Sequence, residues 1–386
     1  MDKLFYGKQT VEEDDIQAVV DVLKGPLITC GPKVVEFEKR LCEYTGANYA
    51  VAVSSGTAAL HCACIAAGIG PGDEVITTPI TFAASANCAL YCGATPVFAD
   101  IDPDTYNIDT NSIRKNITQK TKAIIAVDYT GQVVEVNTIR QICDEHNLIF
   151  IEDAAHSIGS SYNGVKVGNI ADYTTFSFHP VKTITGGEGG AILTNDGSAY
   201  KRLLLARGHG ITHDKDLMED LPHEGIWCYE QIGLGYNYRM TDFQSAMLIS
   251  QLGKIERFKE RRREISKKYE LAFKDIQGII LQKTIPESDT CRHIFVIQLD
   301  LDKLTCTRRE FFDEMSAKNI QCQVHYIPVY WFPYYQKMGY KRGLCPVAEN
   351  VYRGILSIPL YPLLTDEEVD YVIYTIKSLV EKYCIK

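Results

Sequence analysis

The sequence predicts an α/β protein with two parts: a large domain on a mostly parallel central sheet, and a smaller C-terminal α+β domain. Three observations carry this. Strand-like and helix-like segments alternate from Tyr49 to Thr194, which is the signature of βα units. The chain has 386 residues, more than one hydrophobic core usually serves. A long helical stretch from Thr241 to Phe273 then separates this alternation from a tail with no regular interleaving. We place the boundary inside that stretch. Residues 1–250 are the large domain with its N-terminal arm, and residues 251–386 are the linking helix and the small domain.

Taken in order, residues 1–11 read as extended. Glu12 to Lys24 sets Ile16, Val19, Val20 and Leu23 at helical spacing and reads as a surface helix. Gly25-Pro26 ends it. Pro32 opens a second helix, with Val34, Phe37 and Leu41 on one face and Gly46 past its end. Tyr49–Val53 is a short apolar strand, Ser54-Ser55-Gly56-Thr57 a turn, and Ala58–Ala67 a helix. Backbone N–H groups and the dipole at such a helix start suit a phosphate monoester. The same hydroxyls equally suit simple helix capping. Neither GxGxxG nor GxxxxGK[ST] occurs, so no dinucleotide or nucleotide-triphosphate loop is indicated.

The alternation continues through VITTP, a helix over Thr81–Leu90, a strand over Thr95–Ala99 and a loop over Asp100–Thr105. Asn111–Asn116 is a short helix, Ala123–Asp128 a strand, Glu135–His146 a helix and Leu148–Glu152 a strand. Tyr173–Phe178 and Ala191–Thr194 complete the set of strands. Ser55, Thr81, Asp128, Asp153 and Lys182 all fall just past strand ends, where parallel sheets gather functional groups. Leu203–Arg207 finishes a helix. Gly208–Glu230 is a polar loop too long for a turn, and reads as a lid, substrate or interface element. The helix that Thr241-Asp242 caps runs to Phe273 with one break, and its basic stretch Lys254–Lys268 reads as a solvated face. In the tail, His293–Leu299 and Cys322–Tyr326 read as strands, Arg308–Lys318 and Asp366–Tyr383 as helices.

Bulk properties remove several classes. A net charge of -9 argues against a nucleic-acid surface. The uncharged runs Tyr49–Gly72 and Val75–Ala99 have the length of membrane spans, but glycine, proline, serine, threonine and asparagine break both. Thirteen cysteines without a disulfide framework, and no signal peptide at Met1–Thr10, suggest reduced thiols in the cytoplasm. Cys62 with Cys64, and Cys88 with Cys92, sit in uncharged helical segments without convergent histidines, so no metal is expected. His209 and His213 lie in a glycine-bearing loop and read as surface residues. Asp128 and Asp172 read as structural acids at strand ends.

The chemistry centres on Lys182. It stands between the aromatic strand ending at Phe178 and the glycines at 186, 187, 189 and 190. A lysine becomes a nucleophile when its surroundings lower its pKa. Asp153 ends a strand of Leu148, Ile149, Phe150 and Ile151, a place suited to meeting a buried cation or to capping the next turn. Pyridoxal phosphate asks for this combination: a lysine amine, an acid that keeps the pyridine nitrogen protonated, a phosphate cup and a flat face. Phe82 could supply that face, or could be ordinary core.

Six motifs decide between these readings: SSGTAAL from Ser54, TTPITFAASANCAL from Thr77, GATPVFADID from Gly93, IEDAAHSIGS from Ile151, FSFHPVKTITGGEGG from Phe176 and GYNYRMTDFQSAM from Gly235. Together they resemble the DegT/DnrJ/EryC1/StrS sugar-nucleotide aminotransferases from Phe5 to Tyr383. The resemblance implies an aspartate aminotransferase-like, type I pyridoxal phosphate fold. It implies that Lys182 forms the Schiff base and shuttles the proton, and that Asp153 pairs with the pyridine nitrogen. Phe82 stacks on one ring face, Ala155 lies on the other, and His156 contacts the phenolic oxygen. Gly56, Thr57 and Ser177 hold the phosphate, and Asn237 reaches the cofactor of a neighbouring subunit in a homodimer with composite sites. Tyr6, Thr29, His325 and Tyr326 line the sugar-nucleotide pocket. The position after Ala155 is glutamine in many relatives and histidine here; both can donate to the phenolic oxygen. QVHYIPVY from Gln323 adds a likeness to the pseudaminic acid branch of the family. That branch implies L-glutamate and a UDP-linked 4-keto-6-deoxy sugar as substrates. Two rivals are an aminotransferase for a different 4-amino sugar, of perosamine or bacillosamine type, and a fold-keeping homologue without catalysis. Retention of Lys182, Asp153 and the phosphate turn argues against the second.

Overall fold

A computed structural model describes residues 2–218 and 225–385. The chain opens with α1 (Glu13–Lys24) and α2 (Pro32–Thr45). It then enters the alternation: β1 (Tyr49–Val53), α3 (Gly56–Ala66), β2 (Glu74–Thr77), α4 (Ala84–Tyr91), β3 (Thr95–Phe98), α5 (Thr110–Asn116), β4 (Thr121–Val127), α6 (Val136–His146) and β5 (Ile149–Asp153). A small hairpin, β6 (Ser161–Tyr162) and β7 (Val165–Lys166), precedes β8 (Tyr173–Ser177), β9 (Gly190–Thr194) and α7 (Gly197–Arg207).

Seven strands form one sheet in the order β1-β9-β8-β5-β4-β2-β3. β3, β2, β4, β5 and β8 pair in parallel, while β9 runs antiparallel to both β8 and β1. The central parallel strands are buried along most of their length because helices cover both faces, and even their polar residues Glu152, Asp153, Thr174 and Thr175 lie inside. On one face α2, α6 and α8 (Asp242–Leu252) bring Phe37, Leu41, Ile139, Ile142 and Leu248 onto the sheet. On the other, α3, α4 and α7 bring Leu60, Cys64, Cys88 and Leu203. All βα connections therefore deliver their loops to one edge.

The stretch expected as one broken helix is α8 followed by α9 (Ile255–Phe273), with the break at Gly253-Lys254. α9 passes from one core to another. Ile255 and Phe258 pack with the large sheet, whereas Ile265, Tyr269 and Phe273 pack with the tail. There β12 (Ile279–Leu281), β14 (Phe295–Leu299) and β15 (Ile355–Ile358) form an antiparallel sheet, backed by α10 (Arg308–Ala317) and α13 (Asp366–Tyr383). The remaining tail elements are β13 (Ser288–Asp289), α11 (Pro333–Lys337) and α12 (Pro346–Gly354). A further cluster, including Ile80 and Phe98 with Val329, Tyr330 and Ile355, binds the tail to the sheet edge. Among the described residues no helix is long and apolar enough to cross a membrane.

Four expectations change. Cys322–Tyr326 is not a strand. Only Gln323 bridges to Ser357, after which the chain leaves the sheet and turns His325 and Tyr326 into a cavity. The loop over 208–230 is not irregular throughout: β10 (Ile211–Thr212) pairs with β11 (Glu230–Gln231), while residues 219–224 lie outside the described residues. The basic stretch of α9 is not simply solvated. Arg262 is 1% exposed and donates to the carbonyls of His293 and Leu360, and Lys259 is buried against Asp289. In α1 the buried residues are Asp15 and Val22, whereas Ile16 and Leu23 of the apolar series are exposed. Asp15 reverses the expected face because Gln251 and Lys254 hold its carboxylate between α8 and α9.

Candidate active site

The loops at the carboxyl edge of the sheet enclose a cavity of about 850 Å³. Gly56, Thr57, Phe82, Asp153, Ala155 and His156 line it. So do Ser177, Lys182, Tyr6, His325 and Tyr326. The structure thus brings together eleven of the residues singled out in the sequence. Thr29 and Asn237 lie elsewhere, both exposed, where Thr29 bridges to Thr241 and Asn237 to Gly208.

One end of the cavity is a cup. Ser55 caps α3 by accepting from the Ala58 amide at 3.1 Å, so the capping role is real. It leaves the amides of Gly56 and Thr57, which open the helix and have no acceptor within it. Facing them is Ser177, the last residue of β8. A Cβ on Gly56 would come within 2.8 Å of the Ser177 Cβ, so glycine is what lets the two sides close. Gly190 sits between them as register partner of both Val53 and Ser177. A Cβ there would lie 2.4 Å from the Ser55 carbonyl oxygen.

Lys182 follows the cup on a tight turn, its amide donating to the His179 carbonyl at 2.9 Å. Thr185 holds that turn by donating to the Phe178 carbonyl at 3.0 Å. Burial pushes the Lys182 amine down to about 8, against the opposing pull of the Asp153 charge. Asp153, at the end of neighbouring β5, is buried, and desolvation raises its carboxyl. The Ser85 hydroxyl, the Ala155 amide and Lys182 pull the other way. No helix follows Asp153, so it caps only the Ala155 amide, at 3.2 Å. Phe82 is 64% exposed at the rim, which rules out the core-packing alternative.

Three imidazoles and a phenol line the same cavity as the amine. His156 Nε2 lies 3.2 Å from the Tyr326 hydroxyl, and its Nδ1 is buried without a partner among the described residues. His293 packs on His156 with ring centres 4.5 Å apart. His325 Nδ1 meets the Ser357 hydroxyl at 2.8 Å. Desolvation, with the Lys182 charge nearby, holds all three well below the ordinary histidine value, His325 at about 3. Tyr6 arrives on the N-terminal arm, whose carbonyl accepts from the Leu360 amide at 3.0 Å.

Ser85 and His293 escaped the sequence reading. Ser85 contacts Asp153 across 68 positions, and no local pattern announces that. Its spacing of four from Thr81, within TFAAS, was the available signal. Glu188, on the glycine turn, also lines the cavity.

A cup of amides and hydroxyls, a buried acid, an exposed aromatic face and a half-buried amine of lowered pKa suit a phosphorylated aromatic aldehyde held by an amine. The DegT/DnrJ/EryC1/StrS aminotransferase family matches residues 9–377. This chain belongs to that family. It is an aminotransferase of sugar nucleotides that depends on pyridoxal 5′-phosphate. Among its relatives is the spore coat polysaccharide biosynthesis protein SpsC of Bacillus subtilis, 39% identical over 97% of each chain. The UDP-4-amino-4,6-dideoxy-N-acetyl-beta-L-altrosamine transaminase of Campylobacter jejuni is 37% identical over 98% of this chain and 99% of its own. Spr1654 of Streptococcus pneumoniae, solved in its PMP form, superposes with a TM-score of 0.91 at 31% identity, covering 97% of this chain and 98% of its own. The aminotransferase fold is therefore the one that the sequence predicted.

Proposed function

We propose that this aminotransferase moves the amino group of L-glutamate to C4 of a UDP-linked 4-keto-6-deoxy-2-acetamido hexose. The product is UDP-4-amino-4,6-dideoxy-N-acetyl-β-L-altrosamine, a precursor of pseudaminic acid. The observation that carries the chemistry is the Lys182 amine, lowered to about 8 beside Asp153 in a cavity with an amide-lined cup. The likeness to the Campylobacter enzyme along almost the whole chain supports the sugar.

When bound, pyridoxal phosphate supplies an electron-withdrawing ring that stabilises negative charge on the carbon next to the transferred nitrogen. Gly56, Thr57 and Ser177 would hold its phosphate. Asp153 would keep its ring nitrogen protonated, Phe82 and Ala155 would enclose the ring, and His156 would meet its phenolic oxygen. Lys182, neutral once it has lost its proton, takes the α-proton of L-glutamate. It later delivers a proton to C4 of the sugar, and its position sets the configuration there. Tyr6, His325 and Tyr326 line the sugar side of the cavity, with Thr29 joining from beyond it. Because His325 stays neutral, it presents a hydrogen-bonding group and not a charge to the sugar.

The same reading includes a homodimer in which Asn237 reaches the neighbouring subunit's cofactor phosphate. Its support is the exposed apolar series Ile16, Leu23, Leu27, Ile28 and Val35 along α1, its following loop and α2. Asn237 and Thr29 both lie outside the cavity of their own chain. A cytoplasmic site of action belongs to this reading too, and rests on the cysteine content.

The GDP-perosamine synthase of Caulobacter vibrioides, 36% identical over 89% of each chain, favours a second reading: a different nucleotide-linked 4-keto-6-deoxy sugar, of perosamine or bacillosamine type. The deciding experiment offers L-glutamate with a panel of UDP- and GDP-linked 4-keto-6-deoxy sugars and reads the C4 configuration by NMR. Turnover of the L-altrosamine precursor supports the first reading. Turnover confined to GDP sugars, or the opposite C4 configuration, overturns it. Lys182→Ala should lose turnover and the borohydride-reducible adduct with the cofactor.

A further inference from the structure

Asp153 is not an isolated acid. Its Oδ2 lies 2.6 Å from the Ser85 hydroxyl, and Ser85 in turn lies 2.7 Å from the Thr81 hydroxyl. Its Oδ1 accepts from the Ala155 amide at 3.2 Å. Thr81, Ser85 and Asp153 are all at least nine-tenths buried. A carboxylate only accepts hydrogen bonds, and a hydroxyl has one proton to give. Ser85 therefore donates to Asp153, and its own oxygen receives the Thr81 proton. The competing acceptor for Ser85, the Phe82 carbonyl, is farther away at 3.3 Å.

We infer that Ser85, oriented by Thr81, is a positioning residue that holds Asp153 ionised and turned toward the cavity. Each carboxylate oxygen carries one donor, one from the loop before α4 and its first turn, one from the turn after β5. Turning the acid out of this plane would break both hydrogen bonds, and protonating it would weaken them, since a neutral carboxyl is the poorer acceptor. The short stretch 81–85 thus supplies two things at once: the aromatic face of Phe82 and the hydroxyl that disciplines the acid. Among the influences opposing the desolvation of Asp153, the Ser85 hydroxyl is the largest. Hydrogen bonds in such a series also strengthen one another.

This inference rests on the proposed pairing of Asp153 with the cofactor's ring nitrogen. Its test is a binding titration of the cofactor-free protein with two ligands: pyridoxal phosphate, and the analogue carrying carbon in place of the ring nitrogen. Ser85→Ala suits the test because it removes one oxygen and alanine is the better helix former. It should weaken pyridoxal phosphate binding about tenfold, in line with the loss of a hydrogen bond to a charged group. Thr81→Val should weaken it about threefold, and Ser85→Thr should restore it. The carbon analogue should bind native protein and Ser85→Ala within about twofold of each other, because it has no nitrogen to sense the acid. Equal weakening of both ligands would reduce Ser85 to a packing residue and overturn the inference. Asp153→Asn separates the two levels. If it keeps the native preference for pyridoxal phosphate over the analogue, the role of Asp153 falls and the inference with it. If the preference is lost there but intact in Ser85→Ala, only the inference falls.

Discussion

Lys182 and Asp153 enter one cavity from neighbouring strand ends, and each opposes what burial does to the other. Burial alone would neutralise both groups. The Asp153 charge draws the amine back up, and the ammonium draws the acid back down. The amine comes to rest at about 8, near the pH at which a proton shuttle must both accept and give.

In the cofactor-free protein, acylation of Lys182 should therefore rise with pH about a midpoint of 8, whereas ordinary lysines titrate near ~10.4. Asp153→Asn removes the charge that raises the amine, so its midpoint should fall below that of the native protein. Peptide mapping of the labelled protein across a pH series measures both. An unchanged or higher midpoint in Asp153→Asn would contradict the coupling.

The buried imidazoles set an acid limit. His325 titrates at about 3 in the folded chain and near ~6.5 when unfolded. Between those values the unfolded state binds the extra proton, so stability contributed by this group is lost as pH falls. Glu152, raised to about 7 by desolvation, acts oppositely above its ordinary value. Comparing native protein with His325→Gln cancels that term. Urea midpoints should fall more steeply with acid in the native protein, by about one linked proton over the window.

Gly190→Ala should damage the cup without touching any charged group. Its Cβ would press on the Ser55 carbonyl, moving the start of α3 away from Ser177. We expect a loss of about 2 kcal/mol in stability and at least ~10-fold weaker cofactor binding. Thermal denaturation and cofactor titration read the two effects separately.

Arg262→Ala should cost about 3 kcal/mol in chemical denaturation, because it strands two buried carbonyls that the guanidinium now satisfies. One of them belongs to His293, in the cavity wall. Arg262→Lys, which lacks the planar fork, should recover only part of the loss.

Much of the frame was legible because its signals are local. The alternation at Tyr49–Thr194, the Thr241 cap and the strand-end positions of Asp153 and Lys182 are all written within a few neighbouring residues. What escaped depends on distant partners. Asp15 reads as a surface acid until Gln251 and Lys254 meet it. Arg262 reads as solvated until the tail closes over α9. Ser85 looks like one small residue among alanines until β5 brings Asp153 to it. Residues 322–326 have the apolar pattern of a strand, but the cavity pulls the chain from the sheet after one bridge. The sheet instead uses Ile279–Leu281 and Ile355–Ile358.

The position of β9 has a bearing on how the protein is made. β1 is complete early in synthesis, yet its partner in the sheet ends at Thr194. The two sides of the cup cannot face each other until the ribosome has released that distant strand. A nascent chain thus carries the start of α3 for a long interval with nothing opposite it. If the cup holds the cofactor as proposed, cofactor supplied during translation should meet no site until then, and loading should belong to the finished sheet and not to the growing one.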